Sequence, residues 1–156
     1  MDGLIDSEID SCKYLYLRQL GEPQDNQLRV VAEEADASPF PESREVAGSK
    51  FSEVCPIEST GNSRLFEVVW EHYIAYNVMN ESYCRVDPYD IIQSGKLMRI
   101  YSRSRFLDFL ALASIASKDW PGPFIHYVLI CLNHVIDVAC PNPPTIRLIR
   151  PKLEVN

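Results

Sequence analysis

From Arg64 to Cys84, apolar or aromatic-type side chains occupy every second position: Phe66, Val68, Trp70, His72, Ile74, Tyr76 and Val78. Between them stand Glu67, Glu71, Asn77 and Glu81. Side chains of an extended chain point alternately to opposite faces, so a period of two gives a strand with one buried face. A helix would need apolar positions three and four residues apart. The β-branched and aromatic residues also suit a pleated surface. The span is too long for one ordinary strand, so a bend or reversal is expected near residues 75–77.

Similar runs occur elsewhere. Lys13–Leu20 and Gln27–Glu34 read as strands joined by a Gly21–Asn26 turn. Val54–Ser59, Lys96–Ser102, Phe124–Cys131, His134–Cys140 and Thr145–Ile149 supply further strands. Ser104 has the form of a helix cap, and Phe106, Leu107, Leu110 and Ala113 share one helical face, which predicts a helix over 104–117. Asp87-Pro88 resembles a cap followed by a first-turn proline, with Gly95 as a stop, which predicts a short helix over 88–93. The expected fold class is α+β: a mostly antiparallel sheet of about seven or eight strands, one main helix at 104–117 and one short helix at 88–93. The 156 residues read as one domain, 1–156, with 36–52, rich in Ser, Pro, Glu and Gly, as an exposed loop.

The net charge is −7, and it is unevenly placed. Residues 1–63 hold thirteen acidic and five basic side chains; the remainder holds nine and ten. A nucleic-acid binder draws its affinity from phosphate contacts along a basic stripe, and none is evident here. Acidity likewise disfavours anionic lipid, so neither nucleic acid nor membrane is an expected partner. The segment Met1–Glu8 is acidic and has no apolar h-region, so no signal peptide is read. Five cysteines, an odd number without a CxxC pair, read as reduced and mostly buried thiols in the cytoplasm.

Six glycines are scattered along the chain, with no cluster for a phosphate-binding loop, and no G-x-S-x-G is present. The cysteines and the three histidines show no metal-ligand spacing, so neither metal nor cofactor is expected. Three groups of side chains remain as binding candidates. Tyr73 and Tyr76 with Asn80 and Glu81 combine aromatic walls with polar groups at a strand end. Arg103, with Arg99 and Arg105, forms the one basic cluster, beside a helix start that would suit an anion. His126 and Asp137 share a sheet face if a two-residue turn joins their strands, an arrangement that a nearby thiol or hydroxyl would make hydrolase-like.

Three blocks carry a family resemblance: Tyr73-Ile74-Ala75-Tyr76 through Asn80-Glu81-Ser82-Tyr83; Tyr101-Ser102 through Phe106-Leu107-Asp108; and Pro121-Gly122-Pro123 with His126-Tyr127 and Asn133 to Val138. Over residues 64–140 the chain resembles an uncharacterised family of small bacterial cytosolic proteins. That resemblance implies a bacterial cytosolic origin and transfers no functional residue. The leading expectation is a non-enzymatic interaction protein, for example an immunity-like protein that neutralises a toxin or another protein partner. The acidic residues 1–63 would attract a basic partner. The alternatives are a small-molecule-binding or hydrolytic protein using the Tyr/Asn/Glu and His/Asp groups, and a homo-oligomeric structural protein, a homodimer in the simplest case.

Overall fold

A computed structural model describes residues 7–150. A single turn, α1 (Ser7–Asp10), leads into β1 (Tyr14–Gly21) and β2 (Gln27–Ala37). Then follow β3 (Glu42–Val46), β4 (Ser49–Val54), β5 (Ile57–Glu58), β6 (Leu65–Glu71) and β7 (Ala75–Asn80). A 3-10 turn at Glu81–Tyr83 precedes β8 (Ile91–Ser94), β9 (Met98–Arg103) and α2 (Arg105–Ala113). The described chain closes with β10 (Ile125–Ile130), β11 (His134–Cys140) and β12 (Thr145–Arg150).

These strands make two five-stranded antiparallel sheets and a separate hairpin. The first sheet has the order β1-β2-β6-β12, with β5 on the far end of β2. The second runs β7-β11-β10-β9-β8, and β3 pairs with β4 alone. On β6 the alternation acts as the sequence implies: Phe66, Val68 and Trp70 are fully buried and pair with Ala32, Val30 and Leu28 of β2. They meet Tyr127 and Leu129 of β10 and Ile136 and Val138 of β11, so the inner faces of the two sheets form one core. The Trp70 and Tyr127 rings lie 6.4 Å apart across it. Asn133, in the two-residue turn between β10 and β11, accepts from Leu17 N–H (2.9 Å) and donates to Leu17 O (3.1 Å), which ties that turn to the first sheet. Asp10 accepts from the N–H groups of Lys96, Leu97 and Met98 at 2.7–3.0 Å, tying the start of the described chain to the second sheet.

The α+β expectation is overturned. The architecture is mostly antiparallel sheet in three separate sheets, and α2 is the one helix longer than a single turn among the described residues. Four differences account for this. Residues 88–93 form no helix: Asp87 accepts from Tyr89 N–H (2.9 Å), which closes one turn, and Ile91 and Ile92 then pair with β9. Gly95 is the glycine of the β8–β9 turn, at φ +86°, where a Cβ would collide with the Met98 carbonyl at 1.8 Å. The main helix stops at Ala113, not 117, because Ser114 leaves helical geometry and turns its hydroxyl onto Leu110 O (2.7 Å). The 36–52 stretch is exposed apart from buried Ser38, yet it contains the end of β2, all of β3 and the start of β4. Lastly, the break in the long alternating segment falls at 72–74, where His72 adopts φ +55°, and there the chain passes from one sheet to the other.

Candidate functional site

Among the described residues no other sheet covers the outer face of the second sheet, which floors a cleft. Because β10 and β11 are joined through Leu132 and Asn133, His126 stands opposite Ala139 and Val128 opposite Asp137. His126, Val128 and Ile130 therefore share the outer face with Val135 and Asp137, while Tyr127 and Leu129 go to the core. Arg99 and Tyr101 of β9 pair with Val128 and His126, and Asn77 of β7 pairs with Asp137. One row across the sheet thus reads Arg99, Val128, Asp137, Asn77, and the next reads Tyr101, His126, Ala139, Ala75.

The start of α2 and residues 83–92 rise at the sides of this floor and leave a cleft of about 690 Å³, within the ordinary range for ligand sites. The walls are held together by the sequence around Asp87. Its carboxylate receives Tyr89 N–H and Arg105 Nε (3.1 Å), and these contacts, Tyr89 N–H first, hold its pKa below the usual carboxylate range. Asp90 accepts from Arg105 N–H (3.0 Å). The Tyr89 ring lies beneath the guanidinium groups of Arg105 (3.9 Å) and Arg103 (4.6 Å).

At one end of the cleft Ser104, His126 and Asp137 form a hydrogen-bonded row. Ser104 Oγ lies 2.7 Å from His126 Nδ1, and His126 Nε2 lies 2.9 Å from Asp137 Oδ1. Ser104 also caps α2, accepting from Leu107 N–H at 3.1 Å. The tautomer that satisfies every group has the serine hydroxyl donating to Nδ1 and the ring proton on Nε2 donating to Asp137. The ring is enclosed by Tyr101 and Phe106, with centroids 5.1 and 4.9 Å away. Ser104 is 1% exposed and His126 2%. Ser104 holds the helix through one lone pair and the sheet through its proton, so the row fastens the start of α2 to the floor.

Of the sequence candidates, Glu81, His126 and Asp137 line the cleft. Tyr73, Tyr76, Asn80 and Arg103 do not. Tyr76 and Asn80 have the opposite parity on β7, and Tyr76 packs edge-on to Tyr73 (5.0 Å) against the core. The Tyr73 hydroxyl bonds Glu22. Asn80 accepts from Ser82 N–H and so starts the 3-10 turn. Arg103 donates from Nε to Tyr89 O (2.8 Å), supporting the wall from outside. Sequence reasoning missed Ser104 as the partner of His126, and missed Arg99 and the 84–90 wall as lining. For Arg99 and Tyr101 the signal was available: their parity on β9 gives the face.

Arg99 is half-buried, donates from Nε to Lys96 O (2.8 Å) and has no ion-pair partner among the described residues. No group of three or more His, Cys, Asp or Glu among the described residues is placed to hold a metal ion, and no helix among them is long and apolar enough to cross a membrane. Comparison of the chain with protein-family models, with curated proteins and with solved structures finds no match.

Proposed function

We propose that this protein acts by binding rather than by catalysis, and that the cleft on the outer face of the second sheet receives a protein partner. The observation that carries the proposal is the state of the cleft's apolar lining. Met79, Tyr83, Val86 and Ile92 all border the cleft, and all are exposed, Val86 to 96%. Apolar and aromatic side chains grouped around a concavity mark a place where another molecule removes them from water. Phe109 and Leu112 on α2 are exposed as well, extending the apolar character beyond the cleft.

The buried Ser104–His126–Asp137 row supports the same reading. It secures the cleft wall, and binding surfaces gain affinity when they are built in advance. An immunity-like protein that blocks a toxin needs no chemistry of its own, only such a surface. The acidic excess in residues 1–63 favours a partner that is basic overall and speeds its encounter, while the cleft, built from residues 77–137, supplies the docking surface. A cytoplasmic setting, in which all five free thiols stay reduced, completes the proposal.

The test is capture of the partner on immobilised protein in wild-type and variant forms. The captured species should be lost with Val86→Asp and with Ile92→Asp, and retained with Phe51→Ser on the β3–β4 hairpin. Retention by both cleft variants would contradict the proposal. Arg99 favours a second reading, in which the cleft takes a small ligand that carries a carboxylate on an apolar body. Under that reading thermal stabilisation by such a carboxylate disappears with Arg99→Gln.

A further inference from the structure

A sheet edge left open is a template for another strand, and soluble proteins guard their edges with charges, bulges or irregular pairing. Three of the four outer strands of the two large sheets are guarded in this way. β1 has a register break at Leu17/Gln19 and carries Arg18; β12 has one at Leu148/Arg150 and carries Arg147 and Arg150. β8 is broken twice, at Ile91/Ile92 and Ile92/Ser94. β7 has none of these devices. Its sequence, Ala-Tyr-Asn-Val-Met-Asn, contains no charge and no proline, and its six-residue register with β11 is unbroken.

Among the described residues no strand pairs with the outer edge of β7, and the direction of its outward hydrogen-bonding groups follows from the ladder. Cys131 N–H donates to His134 O, so the even residues of β11 bond to β10 and the odd ones to β7. Glu81 N–H donates to Asn133 O in the same register, which again assigns the odd residues of β7 to β11. Tyr76, Val78 and Asn80 therefore turn their backbone groups outward, the Asn80 carbonyl also receiving the Cys84 thiol at 3.8 Å on one of its two lone pairs. Val78 is 39% exposed and Met79 42%, so the side chains beside this edge are also open to solvent.

We infer that β7 pairs antiparallel with β7 of a second copy of this chain, joining the two second sheets across a two-fold axis. An antiparallel strand can meet its own copy only if its outward groups match under reversal. With Val78 on the axis they do: Val78 faces Val78, and Tyr76 faces Asn80 on both sides, so all three outward residues are paired. The occupant is a second copy rather than an unrelated strand on grounds of charge. The molecule is acidic overall, yet this edge sets no like charge opposite itself. Asn77 and Met79 both line the cleft, so the two clefts would meet at the axis, with the partner's Met79 opposite Asn77.

Sedimentation equilibrium over a concentration series tests this, together with amide exchange read residue by residue. The expected result is a reversible dimer in which the Tyr76 and Val78 amides gain protection as concentration rises. Val78→Pro, which removes an outward donor and no bond to β11, should weaken association at least tenfold. Ser94→Lys on the opposite edge should leave it unchanged. Wild-type protein that stays monomeric at its solubility limit overturns the inference. So does a dimer whose Tyr76 and Val78 amides exchange as fast as in dilute protein, a readout that stands even if the proline variant does not fold.

Discussion

Ser104→Ala removes one hydroxyl on which two elements depend. The helix α2 loses the acceptor for Leu107 N–H, a cap contribution of about 1 kcal/mol. His126 Nδ1 loses its only donor in a place where the ring is 2% exposed, and an unsatisfied buried acceptor costs about 1–3 kcal/mol. The expected destabilisation is therefore about 2–4 kcal/mol. Urea unfolding followed by circular dichroism and by fluorescence of buried Trp70 measures it. In a His126→Gln background the same change should cost only the cap, about 1 kcal/mol, because the shared term is already gone. Hydrolysis of a p-nitrophenyl ester should be no faster for wild type than for the variant. A loss below about 0.5 kcal/mol, within the scatter of ordinary surface changes, would refute the fastening role. A tenfold fall in ester hydrolysis would return Ser104 to the position of a nucleophile.

Leu110 is 2% exposed and is the one fully inward position of α2, so Leu110→Ala should cost about 2–5 kcal/mol by chemical denaturation. On the outer face of the first sheet, hydrogen bonds from Arg147 and Arg29 hold the buried Glu67 carboxyl below the usual range. A carboxyl whose folded pKa is lowered stabilises the protein above its unfolded pKa, and that contribution fades as pH falls toward the folded value. Glu67→Gln should therefore lower stability at neutral pH and flatten the fall in stability below about pH 4.5. Cys55 and Cys84 are exposed and should react with a maleimide in the native protein. Cys131, whose thiol burial pushes up to about 12, should react only on unfolding, together with Cys12 and Cys140.

Local signals were legible where one rule decided the outcome. The period-two run of Phe66, Val68 and Trp70 identified the inner face of β6, and the sequence put His126 and Asp137 on one face only on the condition of a two-residue turn, the turn that Leu132 and Asn133 form. Where two rules competed, the weaker local one was overridden. Asp87-Pro88 can begin a helix or a single turn, and pairing of Ile91 and Ile92 with β9 decided for the turn and a strand. Tyr73 and Tyr76 do not border the cleft: Tyr76 has the β7 parity that leads toward the core, Tyr73 stands in the 72–74 break before β7 and packs edge-on against it, and that break has no marker in the local sequence. Separation of the strands into two stacked sheets depends on pairings such as β6 with β12, which join distant segments. Nothing in one stretch of sequence encodes them.

Hydrogen exchange of the protein alone and in complex with its captured partner tests the central claim most directly. If the cleft is the binding surface, protection on complex formation will fall in residues 83–92 and at the start of α2, around Arg105 and Phe106. Protection confined to residues 1–63, the acidic part that includes the β3–β4 hairpin, would contradict the account.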